Sequence, residues 1–205
     1  QTVFNNPLAG PSILGIDTGA SLGVALVMLM LGGTVGGTGG FMLSGYMAVV
    51  SGAFVGATAV LCIIIFFSTL VRSNVMLLII GIMVGYLASS MISLLNFFAT
   101  SDGVYSYMLW GMGDFSGVSL RQMPLFALLI GAGLFVALLL MKPLNALLLG
   151  ERYAENLGVR VQRVRILLLI CTGVLTAVST AFCGPIAFIG LSVPHLARLM
   201  TGSAD

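Results

Sequence analysis

The segment that most restricts this chain is Phe41 to Leu70, which carries no charged residue at all. It is longer than the roughly 20 apolar residues that cross a bilayer. Four more apolar stretches accompany it: Ile13 to Leu31, Val75 to Ala99, Gln122 to Met141 and Val164 to Cys183. Composition points the same way, since only 7% of the 205 residues are charged and 59% are hydrophobic. A soluble domain carries roughly 25% charged residues. A chain this poor in charge cannot cover its surface in water, so lipid is its solvent. Lipid offers the backbone no hydrogen bonds, which makes each long apolar stretch a helix. The predicted fold is all-α: one polytopic transmembrane bundle over residues 1–205, with short re-entrant and coupling helices.

Several functions are excluded at this level. The net charge of +2 is too small, and the basic residues too clustered, for a nucleic-acid partner. Cys62, Cys171 and Cys183 sit inside apolar stretches without metal-ligand spacing and read as packed hydrophobes. His195 is the only histidine. It has no cysteine or carboxylate at a ligand spacing, and reads as a hydrogen-bonded structural residue. No catalytic set, metal or cofactor is implied. There is no Gly-rich phosphate loop ending in Lys-Ser or Lys-Thr, so the chain does not hydrolyse ATP itself.

The polar stretches carry the rest. Gly150 to Arg165, GERYAENLGVRVQRVR, holds four of the eight Lys+Arg. Glu151 suits the positive end of a helix dipole. Tyr153 and Leu157 would share a face one turn apart, and Gly158 reads as a helix stop. The expectation is a short amphipathic helix, a Gly hinge and a basic second segment at a membrane surface. Thr100 to Arg121 reads as a second long polar loop, with Trp110, Tyr105 and Tyr107 suited to the interface. Gly32 to Gly40 is a loop, and Gln1 to Ser12 a re-entrant turn or broken helix end. Gly45, Gly52 and Gly56 are spaced for close helix packing.

Two features lie inside the spans. Asp17 would be costly against lipid, so it sits at a helix end or faces a cavity, ahead of a proton or ion site. Ser89, Ser93 and Asn96 fall on one helix face, near Tyr86 and Ser90. That face meets either another helix or a water-filled path. Lys142 and Pro143 end the fourth span. With five spans, Arg72, Lys142, Arg152, Arg160, Arg163 and Arg165 share one side, and Arg121 and Arg198 lie opposite. The richer side is cytoplasmic. Asn6 to Gly15 and Val193 to Gly202 match at Pro7 with Pro194 and Gly15 with Gly202. They read as inverted-topology repeats, with each Pro at the start of a short helix.

Three long motifs and one shorter segment carry a resemblance. The GE-x-x-A-x-x-LGV of the Gly150 stretch is similar to the coupling loop of the FecCD-type permeases of bacterial ABC importers. NPLAGPSILGIDTGASLG, Asn6 to Gly23, resembles a second family motif, although Asp17 stands where the family usually has a small polar residue. GPIAFIGLSVPHLARLMTG, Gly184 to Gly202, resembles a third, and YMLWGMGDFSGVS resembles the family's W-x-x-GS-x-x-G. The resemblance implies a permease subunit of the inner membrane carrying a ferric siderophore, haem or corrinoid. Its implied partners are cytoplasmic ATPase subunits, a periplasmic binding protein, a second permease copy and membrane lipid. Gly150, Glu151, Arg152, Tyr153, Ala154, Glu155, Leu157 and Gly158 would then meet the ATPase. The helix with Tyr86, Ser89, Ser90, Ser93 and Asn96 would line the path, and Arg198 and Arg121 would dock the binding protein. The chain reads as an internal fragment of a longer protein. The alternatives are an intramembrane enzyme, which needs a paired nucleophile and base, and a passive channel.

Overall fold

The computed structural model describes residues 11–30, 42–71, 73–115, 118–148, 150–186 and 189–202. Among them every regular element is helical. A 3₁₀ turn over Pro11–Leu14 leads into α1 (Ile16–Ala25), which continues as a π-helical turn over Leu26–Met30. There follow α2 (Met42–Leu70), α3 (Asn74–Phe98), α4 (Ser101–Gly111) and α5 (Met123–Leu139). The rest are α6 (Met141–Leu148), α7 (Glu151–Asn156), α8 (Val161–Cys183) and α9 (Ile189–Thr201).

Three of the expected spans, α2, α3 and α8, are long and apolar enough to cross a membrane. The other two differ from expectation. The stretch from Gln122 to Met141 is a helix only to Leu139, and α6 then continues at a bend of 50°. Pro143 explains the break. It has no N–H for the Leu139 carbonyl, and its ring crowds that carbonyl. At Ile13 to Leu31, Gly15 adopts φ 74 and separates the 3₁₀ turn from α1. What remains is 10 residues of α-helix and 5 of π-helix, short of a span.

The polar stretch after α3 is also corrected, because α4 occupies it. Thr100 caps that helix, its hydroxyl accepting from the Gly103 N–H at 3.3 Å. A Thr-Ser-Asp opening is an N-cap signal, outweighed in the sequence by the surrounding glycines.

Helix α1 lies at the centre, buried by Ile16, Ala20 and Val24 against Ala53, Ala57 and Val60 of α2 and Val178 and Ala181 of α8. Its contact with α2 is backbone on backbone. A Cβ at Gly23 would run into the Gly52 carbonyl, and one at Gly56 into the Gly19 carbonyl. Two of the glycines whose spacing predicted close packing therefore make it.

Helices α2 and α8 are tied at both ends. Gln162 Nε2 donates to the Ser68 carbonyl at 2.7 Å, and the Tyr46 hydroxyl donates to the Phe182 carbonyl at 3.3 Å. The α2–α3 connection and the Gly150 stretch thus lie on one side of the bundle, as charge predicted; Arg72 itself is outside the described residues. At the other end the Asp114 N–H donates to the Cys183 carbonyl at 2.8 Å, which holds the segment after α4 against α8.

The repeat is described only in part. Asn6 to Gly10, with Pro7, and the Gly32 to Gly40 loop lie outside the described residues. Gly15 and Gly202 both have positive φ, 74° and 64°. Pro194 does not start a helix as expected; it lies inside α9. Its four predecessors from Gly190 are helical, and its missing N–H leaves the Gly190 carbonyl without that donor.

Candidate functional site

The Gly150 stretch forms a small module of its own. Leu147 of α6, Ala154 of α7, and Val161 and Val164 of α8 make a second apolar core, joined by Ala146, Val159 and Leu168. Gly150 enters α7 at φ 110, and Gly158 leaves it at φ 81. The Gly158 N–H donates to the Glu155 carbonyl at 2.9 Å and the Val159 N–H to the Ala154 carbonyl at 3.0 Å. This is the Gly stop anticipated from sequence, since a side chain at that φ would be strained.

The module fixes which residues point outward. Ala154 is wholly buried, so it seats α7 and presents nothing outside. Tyr153 and Leu157 are 50% and 59% exposed, and Glu155 is exposed beside them. The side chains of Glu151 and Arg152 are outside the description. The basic second segment is not separate: Arg160 caps α8, and Arg163 and Arg165 belong to its first turns. Arg163 is exposed and Arg165 buried.

The other expected residues lie apart from this module. Helix α3 is thinly covered, with 17% of its window buried against 50% for α8, and α5 buries no residue at all. Tyr86, Ser89, Ser90 and Ser93 are exposed on it, and Asn96 is half-buried. The Ser90 hydroxyl donates to the Tyr86 carbonyl at 2.9 Å and the Ser93 hydroxyl to the Ser89 carbonyl at 3.1 Å. These hydroxyls thus satisfy themselves within the helix. Arg121 is exposed in the turn before α5, and Arg198 is exposed in the last turn of α9. Arg198 also has an interaction within the chain.

One site escaped the sequence reading. A cavity of about 570 Å³ lies between α1, α5, α8 and α9. Thr172, Thr176, Ser179 and Thr180 of α8 line it, with Asp17 opposite. The Thr180 hydroxyl donates to Asp17 Oδ1 at 2.9 Å. Asp17 is therefore both in the first turn of α1 and on a cavity wall, its two expected positions together. The spacing of the four α8 hydroxyls, one helical face, is the sequence signal that would have found this wall.

The whole is a helical membrane bundle with a short, outward-facing helix on its basic side. Among the described residues no group of His, Cys, Asp and Glu could hold a metal ion. The pattern of the FecCD transport family matches residues 1–205, and the chain belongs to that family. It is a multi-pass protein of the bacterial inner membrane.

Two relatives are vitamin B12 import system permease proteins BtuC. The one from Citrobacter koseri is 36% identical over 200 residues, covering 97% of this chain and 57% of the relative. That from Pectobacterium atrosepticum is 38% identical over 206 residues, with the same two coverages of 97% and 57%. The chain thus spans little more than half the length of these relatives. A solved structure described as a metal-chelate type ABC transporter, in an inward-facing conformation, superposes with TM-score 0.80 at 28% identity. The match covers 99% of this chain and 62% of that one.

Proposed function

We infer that the protein is the membrane-spanning subunit of an ATP-driven importer, with α7 as the element through which a separate cytoplasmic ATPase acts. The observation that carries this is the α7 module. It exposes Tyr153 and Leu157 on a helix clamped by its own core to α6 and α8. A partner pushing on that helix moves the foot of α8, and α8 is packed along α1 and α2. Exposed apolar side chains beside charged ones, on the side of the basic residues, suit a protein partner.

The cargo in this reading is a large chelate: a corrinoid, as the BtuC relatives indicate, or a metal chelate of the ferric siderophore or haem class. A second permease copy covers α3, and the face with Tyr86, Ser89, Ser90, Ser93 and Asn96 borders the path between copies. A periplasmic binding protein delivers the cargo and docks near Arg121 and Arg198. Exposed ion pairs are worth under about 1 kcal/mol each, so Arg121→Ala should weaken docking mildly, and less at high salt. An affinity and salt slope equal to the parent's would remove Arg121 from the interface.

The deciding experiment is uptake into proteoliposomes. The full-length protein with its ATPase and binding protein should accumulate either labelled vitamin B12 or a labelled ferric siderophore, only with ATP present. ATP-independent flux, or no flux of any chelate class, would overturn the reading.

A further inference from the structure

The geometry points to a ligand site unconnected with α7 or α3: the cavity between α1, α5, α8 and α9 binds an organic ammonium, with the Asp17 carboxylate as its counter-charge. Depth comes first. Gly19 packs against Gly56, the midpoint of α2 (Met42–Leu70), and Asp17 is within one turn of Gly19. Its bond to Thr180, in the last turn of α8, sets Asp17 inside the bundle toward that end of α8, where a carboxylate is still costly and marks function unless it is partnered.

Its partner is inadequate on charge. Among the described residues only the Thr180 hydroxyl bonds to it, and a hydroxyl brings no positive charge. Among the described residues no Lys, Arg or His lines the cavity. Two helix ends border it as well. The C-terminal residue of α8, Cys183, and the N-terminal residue of α9, Ile189, both line the wall. A third end lies beside them, because Asp17 is in the first turn of α1 at that helix's positive end. Two N-termini and one C-terminus leave roughly half a positive charge, less than the full negative charge of a carboxylate. The full charge of Asp17 then sets the sign, and the ligand is a cation. Gly190, whose carbonyl lacks the N–H that Pro194 cannot supply, lies in the same wall as a second acceptor.

Size and lining narrow the class. About 570 Å³ is far more than a bare monovalent ion fills, and it falls within the range of small-molecule sites, roughly 300–1,000 Å³. Among the described residues no second carboxylate lines the wall, which argues against a divalent metal. Leu168, Leu175, Ile186 and Ile189 supply the apolar remainder. One positive head on an apolar body fits: an alkylammonium, either a free amine or the ethanolamine headgroup of a lipid.

The test uses the full-length protein in nanodiscs of phosphatidylglycerol, with radiolabelled n-hexylammonium as probe. One saturable site per chain is expected, not competed by n-hexanol. Asp17→Asn keeps shape and an acceptor for Thr180, and should weaken binding at least about tenfold, as expected for a lost buried charge partner. Asp17→Glu should restore much of it. Thr176→Phe fills the cavity with Asp17 intact and should also abolish binding. Phosphatidylethanolamine nanodiscs separate the sources: competition with the probe identifies the headgroup, and no competition a free amine. Absence of a saturable site, equal binding by Asp17→Asn, or equal competition by n-hexanol overturns the proposal. The assay contains neither ATPase nor transport, so its failure is separate from failure of the importer reading.

Discussion

At Gly23 and Gly56 one carbon atom decides whether α1 and α2 can touch. Each helix presents a hydrogen where a methyl would strike the other's backbone carbonyl. Neither backbone can give without displacing the buried Ala20, Val24, Ala53 and Ala57 around it. Gly56→Val should therefore destabilise the protein by about 1–3 kcal/mol, the usual cost of overpacking. Thermal unfolding in detergent should show the loss, while Gly131→Ala, in the interior of α5 with nothing near its absent Cβ, should leave the midpoint unchanged or raise it. An unaltered midpoint for Gly56→Val would mean the helices are further apart than described. Half of this contact was legible, because Gly52 and Gly56 repeat at helical spacing within one element. Their partners on α1 were not, since nothing in a linear sequence says which helices meet. The same holds for Asp17 and Thr180: the carboxylate was conspicuous, but its hydroxyl lies 163 positions away.

Among the elements, α7 was the most legible and carries the sharpest prediction. Its two limits are glycines with positive φ, a backbone state that few other residues adopt. Its outward face followed from Tyr153 and Leu157 being one turn apart. The inward role of Ala154 did not, because the small core it fills is assembled from α6 and α8. Leu157→Asp places a charge on the exposed apolar face without touching that core. In the full-length complex it should lower transport per ATP hydrolysed several-fold, with normal membrane insertion. Glu155→Arg should act in the same direction by reversing a charge at the same face. Normal coupling in both variants, measured as labelled cargo taken up against phosphate released, would remove α7 from the ATPase contact. Elements whose limits depend on a competition between signals were misread. Thr100 starts α4 against a background of glycines, and the fourth span, rightly read as ended by Pro143, is carried on by α6 beyond a bend that the sequence reading lacked.

At the scale of the whole molecule, burial is lopsided: α5 buries no residue, and α3 buries few. A helix embedded on all sides should be covered like α8, half of whose window is buried, yet only 17% of the α3 window is. Lipid can cover Leu87 and Leu94, which are 68% and 60% exposed. It gives no reward for covering Ser89 and Ser93, and the Ser93 hydroxyl, though it donates to the Ser89 carbonyl, keeps lone pairs that still prefer water. The two faces therefore differ in solvent, although both are open in a single chain. The reading with a second copy and a path between copies makes this measurable. In a Cys62→Ala background, since Cys62 is exposed and Cys171 and Cys183 are buried, single cysteines at Ser89, Ser93 and Asn96 should react with a membrane-impermeant thiol reagent. They should do so in at least one nucleotide state of the reconstituted transporter. Cysteines at Leu87 and Leu94 should stay several-fold slower in every state, because a thiol facing lipid is rarely ionised and the reagent does not partition there. Faster labelling at Leu87 and Leu94 would place lipid over the serines and the path elsewhere. Equal labelling on both faces would mean that α3 stands in water all round, and the two-copy arrangement would fail with it.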